Sequence, residues 1–384
     1  MPVLVQKYGG SSLADVDRLR AVASHIVATA QSGASIVVVV SAMGKTTETL
    51  IQQAQEVSPN APRREMDMLV TAGERISMAL ISMAIHDLGA EAISFTGSQS
   101  GIITEDSHQG ARIIEVRPYR LEEALELGKI VIVAGYQGVS LKREITTLGR
   151  GGSDTTAVAL AAALGAESCE IYSDVDGVYD ADPNVCSQAR HIAELDYETM
   201  QAMANAGARV LNAQAVEFAK RAGIRIVAKK TGETAGAKTE VSQSVTASPG
   251  VVGVVGAAGV SRLRGTLAAL PNQEIAKLGG RPFVWNTSQE VDEIWVLRTE
   301  IPNRSVEPML AIASHFGLEH FDEDVVTVVG SELITSTLAR VRELLSDNDI
   351  AVTACSATGT SLSFAVSRGE GERVVILVRN ALLD

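Results

Sequence analysis

The chain of 384 residues is poor in aromatic side chains, which make up only 4% of it, and in basic ones, with 33 Lys and Arg against 46 Asp and Glu. The resulting net charge of −13 argues against a nucleic-acid-binding surface, because phosphate backbones require a basic face. The scarcity of aromatic rings also argues against the stacking platforms that hold single-stranded bases. We therefore expect no nucleic acid among the partners of this protein.

Cysteine and long apolar runs are scarce as well. The three cysteines (Cys169, Cys186 and Cys355) lie far apart and form no CxxC pair, which argues against a disulfide framework or a zinc site. No uninterrupted apolar run reaches the roughly 20 residues that span a bilayer. The apolar stretch at positions 1–6 is too short for a signal peptide. These features predict a cytoplasmic protein with no membrane partner.

The first 230 residues alternate short β-rich runs with helical patterns, which is typical of a mainly parallel α/β sheet flanked by helices. Strands are predicted at 3–6, 36–40, 129–134, 170–173 and 224–227, and apolar residues recur at helical spacing over 16–27. In such sheets, ligands bind beyond the carboxyl ends of the strands. The loops at Gly9-Gly10, Ser41-Ala42, Gly135 and Ser173-Asp174 all begin at predicted strand ends and are therefore candidate parts of a site.

The composition changes near residue 231, where the chain becomes small, polar and aperiodic, as a linker would be. Beyond it, strands are predicted at 251–255, 293–297, 325–329, 350–354 and 361–366, with helices at 306–316 and 336–345. This βαββ order is typical of small α+β modules. We predict one domain over 1–235, a linker over 236–249 and an α+β module over 250–384.

The run Thr147-Leu-Gly-Arg-Gly-Gly-Ser-Asp154 precedes an apolar segment with helical character at 155–164. Glycines allow backbone N–H groups to approach a ligand, and Ser153 is a favourable N-cap at a helix end that attracts anions. Arg150 adds a planar fork suited to a carboxylate or a phosphate. The run predicts an anion-binding pocket, and an ordinary glycine-rich turn is the alternative.

Two further loops carry charges that suit a small-molecule site. In Lys7-Tyr-Gly-Gly-Ser-Ser12, the lysine could hold a transferring phosphoryl group while backbone amides cradle its oxygens, although a solvated lysine at a strand edge is the alternative. Glu74 could pair with a ligand ammonium group, or form a surface salt bridge with Arg75 or Arg64.

The segment 173–183 carries four aspartates and a tyrosine in eleven residues. It lacks the spacing and the terminal glutamate of an EF-hand, and it suits nucleotide hydroxyls and solvated Mg²⁺ better than calcium. No His, Cys and carboxylate cluster has the spacing of a dedicated metal site, and we interpret His108 as structural. Together the loops suit phosphate transfer from ATP to a zwitterionic carboxylic acid. Its carboxylate is already ionised at pH 7, so catalysis requires positioning and charge neutralisation rather than a general base.

Six motifs, in order over about residues 1–230, resemble the aspartate kinase family. They are Gln6-Lys-Tyr-Gly-Gly-Ser-Ser12, Val40-Ser-Ala-Met43, Ala72-Gly-Glu-Arg75, Ser94-Phe-Thr-Gly-Ser-Gln-Ser-Gly-Ile102, Thr147-Leu-Gly-Arg-Gly-Gly-Ser-Asp154 and Ser173-Asp-Val-Asp-Gly-Val-Tyr-Asp-Ala-Asp-Pro183. The resemblance implies the amino-acid-kinase fold, ATP with Mg²⁺, and formation of 4-phospho-L-aspartate, which opens the route to lysine, threonine, methionine and isoleucine.

The resemblance also implies roles for individual residues. Lys7 and Asp154 are the expected catalytic residues, with Lys7 stabilising the transferring phosphoryl group. The expected substrate contacts are Thr47, Glu74 on the amino group, Arg150 on the α-carboxylate, and Ser153. The expected ATP contacts are Lys7, Gly9, Gly10, Ser11, Ser173, Asp174, Tyr179, Asp182, Pro183 and Arg209.

The chain departs from the family pattern at three places. Asn184 follows Pro183 where an arginine is usual, which could weaken phosphate binding unless Arg190 or Lys229 compensates. The run at 209–213 reads Arg-Val-Leu-Asn-Ala instead of a Lys-Val-Leu-His-Pro-like sequence, and Lys229-Lys-Thr231 replaces a frequent Arg-Ser-Ser.

Beyond residue 250 the chain resembles the paired ACT modules of the family, best over 322–384. The stretch 251–320 departs, and its ligand loop is not recognisable, so we expect weak or absent feedback by lysine or threonine. ACT-like modules imply a homodimer or a higher homo-oligomer. Two other functions remain open: a paralogous kinase that acts on another amino-acid carboxylate in specialised metabolism, and a non-catalytic regulatory subunit of the ACT type.

Overall fold

The computed structural model describes residues 2–149, 151–232, 236–245, 249–265, 274–275, 280–286, 292–298, 305–333 and 335–384. Residue contacts divide the chain into two compact units. The first contains Met1–Val178, Ala193–Tyr197 and Val210–Val245, and the second contains Tyr179–Ile192, Glu198–Arg209 and Thr246–Asp384.

The elements of the first 245 residues alternate between strands and helices. The strands are β1 (Val3–Tyr8), β2 (Ser35–Val40), β3 (Ala92–Phe95), β4 (Ile102–Thr104), β5 (Ile113–Val116), β6 (Ile130–Ala134), β7 (Gln137–Ser140), β8 (Ile145–Thr147), β9 (Ser168–Ser173), β10 (Val178–Tyr179), β11 (His191–Ile192), β12 (Glu194–Leu195), β13 (Arg225–Lys230) and β14 (Lys238–Val241). The helices are α1 (Val16–Gln31), α2 (Thr46–Val57), α3 (Arg63–Val70), α4 (Ala72–Asp87), α5 (Tyr119–Glu126), α6 (Gly152–Ala163), α7 (Tyr197–Ala206) and α8 (Ala213–Ala222), with a 3-10 turn at Gly10–Leu13.

The first unit is organised around a sheet that has eight strands among the described residues, in the order β12-β14-β13-β9-β1-β2-β6-β3. Neighbouring strands from β13 to β3 are parallel, and β14 runs antiparallel to β13 at one side. The valine-rich strand β2 is buried along 36–40, as expected of a central strand covered on both faces. The predicted mainly parallel α/β fold is confirmed, and a second sheet, β5-β4-β7-β8, adds to the unit.

Helices α3 and α4 cover Arg63–Asp87, a stretch that is long and apolar enough, by length and composition, to cross a membrane. The stretch carries Glu74 on a buried face, and Ile81 and Ile85 pack in the core of the first unit. We therefore interpret these helices as core helices.

The predicted linker over 236–249 is wrong in part. Residues 238–241 form β14, which pairs with β13 through the register Val227↔Glu240 and Ala228↔Thr239. Alternating burial along Lys238–Val241 gives this short segment one face in the core, a pattern that its polar composition concealed. The first compact unit accordingly extends to Val245.

The second unit is an antiparallel sheet with helices, as expected of an ACT-like α+β module. Its strands are β15 (Gly250–Gly265), β16 (Arg281–Asn286), β17 (Asp292–Leu297), β18 (Glu319–Ser331), β19 (Val352–Ala357) and β20 (Ser361–Ser367), and its helices are α9 (Glu307–Phe316), α10 (Thr335–Asp347) and α11 (Gly371–Leu383). The strand order is β16-β17-β15-β18-β20-β19 over the residues described. Much of the divergent stretch over 251–320, including residues 266–273 and 276–279, lies outside the described residues.

The acidic segment at 179–192 belongs to this second unit rather than to the first one. The Asp180 carbonyl accepts a hydrogen bond from Val254 N at 2.7 Å, which ties the segment to β15. The carboxylate of Asp180 pairs with the fully buried guanidinium of Arg379 on α11, at 3.0 Å. The two compact units therefore do not follow the expected division of the chain at residue 235.

Because the Asp180–Arg379 pair is buried, substitution of Arg379 is expected to cause a large loss of stability. We expect Arg379→Met to lower the free energy of unfolding by about 3–5 kcal/mol, because it leaves a buried carboxylate without its cation. Urea denaturation followed by tryptophan fluorescence measures this, since both tryptophans, Trp285 and Trp295, belong to the second unit. The control is Arg373→Met on the same helix, whose arginine is 54% exposed and pairs with Glu370. It should cost less than about 1 kcal/mol, and equal losses in both variants would contradict the assignment.

Candidate active site

The carboxyl ends of four neighbouring strands meet at one edge of the large sheet. The register pairs Tyr8 with both Val40 and Tyr172, and Val40 with Ala134, so β1, β2, β6 and β9 end side by side. Backbone hydrogen bonds continue past the strand ends, from Gly9 N to Tyr172 O, from Ser41 N to Tyr8 O and from Gly135 N to Val40 O. This arrangement brings together the loops that the sequence predicted as parts of one site.

The loop after β1 is packed tightly against the loop after β2. A Cβ on Gly10 would lie 2.7 Å from the Ala42 carbonyl oxygen, and Gly44 N donates to Gly10 O at 3.0 Å. A Cβ on Gly9 would lie 3.7 Å from Lys7 Nζ and 3.9 Å from Ser11 Oγ, so these polar groups flank the glycine. The loop thus places an ammonium group, a hydroxyl and backbone amides within a small space, as phosphate binding requires.

Lys7 forms an ion pair with Asp154 that the sequence did not indicate. Lys7 Nζ lies 2.6 Å from Asp154 Oδ1, and both side chains are nearly buried. Asp154 occupies the first turn of α6, which packs against β1. A separation of 147 positions hides such a contact from any local pattern, although both residues were predicted individually. The pair holds the ammonium group at the carboxyl end of β1.

The start of helix α6 differs from the prediction. Gly151 is the N-cap, with a left-handed φ of 68° and no side-chain cap, so the prediction that Ser153 caps the helix is wrong. Ser153 lies inside the first turn and is 7% exposed, and its Oγ would be 2.7 Å from a Cβ on Gly135. The serine therefore packs against the loop after β6, at the same sheet edge.

Gly151 also explains one departure from the family pattern. A Cβ at this position would lie 2.2 Å from Asn212 Nδ2. Asn212 is the N-cap of α8, and its Oδ1 accepts from Gln214 N and Ala215 N. The asparagine in the run at 209–213 therefore starts a helix and packs against the glycine-rich loop.

Two glycines that flank α6 provide a matched test of this packing. We expect Gly151→Ala to destabilise the first unit by at least about 2 kcal/mol more than Gly165→Ala, because only the former drives a methyl group into Asn212. Gly165 has a similar φ of 63°, but no atom lies within 4 Å of the added Cβ. Alanine at this position therefore adds the backbone strain of a left-handed φ without a steric clash. Thermal unfolding followed by far-UV circular dichroism compares them, and equal shifts would contradict the steric argument.

Glu74 is buried, in contrast to the surface salt bridge that was its alternative. It lies in the first turn of α4, is 3% exposed, and its Oε1 accepts from Ala42 N at 3.3 Å. Its other oxygen, Oε2, has no hydrogen-bond partner in the part of the chain that the structure describes. Burial raises the pKa of Glu74 to about 7. A buried carboxylate with an unused oxygen is suited to receive an ammonium group from a ligand.

Thr47 lies half-buried in the first turn of α2, directly after the loop that contacts Gly10. Arg150, the expected partner of the substrate α-carboxylate, lies outside the described residues. Its position therefore stays a prediction from the sequence.

The expected nucleotide contacts divide between the units. Ser173 and Asp174 follow β9 in the first unit, whereas Tyr179, Asp182, Pro183 and Arg209 belong to the second. Asp182 Oδ1 accepts from both the backbone N and the side-chain Nδ2 of Asn184, at 2.9 and 3.0 Å. Asn184 thus stabilises a local turn in place of the usual arginine.

The two basic residues that could compensate for Asn184 already have acidic partners. Lys229 Nζ pairs with Glu170 Oε1, and Arg190 Nη2 lies 2.7 Å from Asp384 Oδ1. Burial alone would raise the pKa of Glu170, but hydrogen bonds from Lys229 and Gln6 hold it below its usual value. Compensation would therefore require one of these pairs to open.

The described part of the second unit contains a cavity of about 550 Å³. Arg262 in its wall donates to Glu293 at 2.9 Å and to Glu323 at 2.8 and 3.1 Å, and its guanidinium stacks on Phe321. Arg264, a second arginine of the wall, lies 3.6 Å from Glu293, so the two arginines and the two glutamates of the cavity balance in formal charge. Among the described residues, Glu74 Oε2 in the first unit is a buried acceptor without a hydrogen-bond partner and is suited to an amine.

No group of three or more His, Cys, Asp or Glu side chains in the described ranges has the arrangement of a metal site. A model of the amino acid kinase family matches residues 2–229, which is more than half of the chain. The chain belongs to the amino acid kinase family. The strand-end site lies within the matched range.

Members of the amino acid kinase family that this chain resembles include aspartokinases. It is 58% identical over 227 residues to the aspartokinase of Mycolicibacterium smegmatis, an alignment that covers 59% of this chain and 54% of that protein. The chain thus spans about half the length of the curated relatives it matches.

Two solved structures extend the comparison to the second unit. The E. coli aspartokinase III complex with aspartate and ADP matches with a TM-score of 0.84 over 100% of both chains, at 22% identity, which shows a shared fold. The aspartate kinase from Synechocystis is 33% identical, with a TM-score of 0.58, over 99% of this chain and 69% of that one.

Proposed function

We propose that this protein is an aspartate kinase, which uses ATP to phosphorylate the side-chain carboxylate of L-aspartate and forms 4-phospho-L-aspartate. The observation that carries the proposal is the buried Glu74, with an unused carboxylate oxygen, at the same sheet edge as the Lys7–Asp154 pair. The 58% identity to an aspartokinase over 227 residues supports the same substrate.

The proposed chemistry follows from these groups. An oxygen of the ionised aspartate carboxylate attacks the γ-phosphorus of ATP, and the bond to the ADP oxygen breaks. No general base is needed, because the carboxylate has a pKa near 3.9. Lys7 neutralises charge on the moving phosphoryl group, and Asp154 holds the lysine in place. Mg²⁺ enters with ATP as part of the substrate, with phosphate oxygens and water as its main ligands.

Glu74 also distinguishes this proposal from its nearest alternative, a kinase of an acylated amino acid. An acylated substrate has no ammonium group, so it would leave Glu74 buried without a counter-charge. The Lys7–Asp154 pair supports catalysis over a regulatory role without turnover, since an ammonium group poised beside a glycine loop serves phosphoryl transfer.

ADP formation measured with L-aspartate, L-glutamate and N-acetylated acids tests the substrate. The proposal expects turnover that depends on aspartate and is lost in Arg150→Ala. Turnover with an acylated acid alone supports the alternative kinase, and turnover with none of them supports a regulatory subunit.

We further propose that the protein is cytoplasmic and assembles as a homodimer or a higher homo-oligomer through the second unit. The antiparallel sheet of that unit supports this, since ACT-like modules pair. Light scattering on the purified protein tests the assembly. Activity assays with millimolar lysine plus threonine test the expected weak feedback, and strong inhibition would refute it.

A further inference from the structure

Asp67, on helix α3, is a fully buried carboxylate outside the residues assigned so far. Its Oδ1 accepts from Thr147 Oγ1 at 2.7 Å, and its Oδ2 accepts from His108 Nδ1 at 2.8 Å and from Thr147 N at 3.2 Å. Gln109 N lies within 3.3 Å of both oxygens.

These contacts join two segments that are distant in sequence. Thr147 is the last residue of β8 and begins the glycine-rich run, while His108 and Gln109 lie in the loop between β4 and β5. The Thr147 carbonyl also accepts from Gly110 N at 3.0 Å and from Ala111 N at 2.8 Å. One buried side chain therefore fixes both the backbone amide and the hydroxyl of Thr147.

The glycine-rich run needs such a fixed point because its own backbone is permissive. Gly149 and Gly151 both have left-handed φ values, of 78° and 68°, and glycine restricts the backbone least of all residues. The end at Gly151 is set by α6 and Asn212. The other end is set by Asp67 through Thr147. In the sequence, Arg150 follows Thr147 by three positions.

We propose that Asp67 is a positioning residue that sets the entry of the glycine-rich loop, and that this loop forms part of the pocket for the acid substrate. The part that concerns the substrate rests on the proposed aspartate kinase activity. The part that concerns the loop rests on the hydrogen bonds of Asp67 alone. His108 acts in the same cluster by holding one oxygen of Asp67.

The test is Asp67→Asn, which keeps the shape but replaces an acceptor with a donor that faces the donors of Thr147. We expect the KM for aspartate to rise on the order of tenfold or more, while the KM for ATP stays unchanged. Amide hydrogen exchange of peptides over 146–152 should become faster. The matched control is Glu65→Gln, an equivalent carboxylate-to-amide change at an exposed site of the same helix, which should alter neither KM value nor the exchange rate.

A second pair of variants protects the test against a folding failure of Asp67→Asn. Thr147→Val removes the hydroxyl donor at constant shape, and Thr147→Ser restores it. We expect the valine variant to raise the KM for aspartate and the serine variant to recover it. Unchanged exchange over 146–152 in Asp67→Asn, or an equal rise of both KM values, would overturn the proposal. A wild-type protein without aspartate turnover would refute the proposed function, and the exchange result would still decide the role of Asp67.

Discussion

Replacement of Lys7 by methionine is expected to lower kcat by about 10²–10³-fold, with a much smaller change in the KM for aspartate. The ammonium group contributes most when negative charge spreads over the moving phosphoryl group, so its loss affects the transition state more than the bound substrate. Steady-state kinetics with saturating ATP and varied aspartate measure both parameters.

A suitable control for Lys7 is Lys142→Met, since that lysine is 76% exposed and pairs with Asp106. Its kinetics should match the wild type. Lys7→Arg is a further comparison, because it keeps the charge but not the compact ammonium group, and we expect it to recover only part of the lost turnover. A Lys7→Met variant with a raised KM and an unchanged kcat would show that the lysine stabilises the bound substrate and the transition state equally, which contradicts the proposed role.

Replacement of Glu74 by glutamine is expected to raise the KM for aspartate strongly. At alkaline pH, the variant should also be more stable than the wild type. The amide keeps the shape of the side chain but offers no charge to the substrate ammonium. A charge-assisted hydrogen bond contributes about 1.5–3 kcal/mol, which corresponds to roughly a 10- to 150-fold change in KM. The KM for ATP should not change.

The substitution weakens aspartate binding but stabilises the folded protein, because Glu74 is buried. Its pKa is raised from 4.5 to about 7 in the folded protein, so folding disfavours the ionised form. Between these two pH values the folded state binds more protons than the unfolded one, and stability falls as the pH rises. Above pH 7 the cost is roughly 3 kcal/mol, and Glu74→Gln removes it. The difference between variant and wild type should disappear below about pH 4.5.

Thermal unfolding at several pH values, followed by far-UV circular dichroism, tests whether the Glu74→Gln variant is more stable than the wild type at high pH. The control is Glu122→Gln, since Glu122 is an exposed glutamate in the first turn of α5. In the wild type, the KM for aspartate should also rise as the pH falls below about 7, because Glu74 becomes protonated. A glutamine variant that is less stable than the wild type at pH 8 would show that the ionised carboxylate is stabilised by other groups.

The sequence predicted the large sheet well, for a physical reason. The central strands are valine-rich and buried along most of their length, and loops with glycine follow them, so composition alone marks both the strands and their ends. The prediction failed at β14, where a polar segment becomes a strand because β13 offers it hydrogen bonds. It also failed for the cap of α6, where Gly151 with a left-handed φ is the N-cap and packs so closely against Asn212 that a Cβ would not fit.

The site residues also divide into those that a local motif predicts and those contacts that only the folded chain shows. The motifs named Lys7, Glu74 and Asp154 individually, because each stands in a short distinctive run. Neither the Lys7–Asp154 pair nor the Asp67 cluster could be predicted, since their members are 147 and up to 80 positions apart. Asp67 left a weak signal, as a charged residue three positions before the buried Val70 on the same helix face.

The order of residues by itself determined the class of fold and the loops in which chemistry is concentrated, because hydrophobic patterns and glycines act locally. Only the tertiary structure decided that Glu74 is buried with an unused oxygen, that Asp154 holds Lys7, and that Asp67 anchors the glycine-rich loop. These properties arise from desolvation and from contacts between distant segments, and both exist only once the chain has packed.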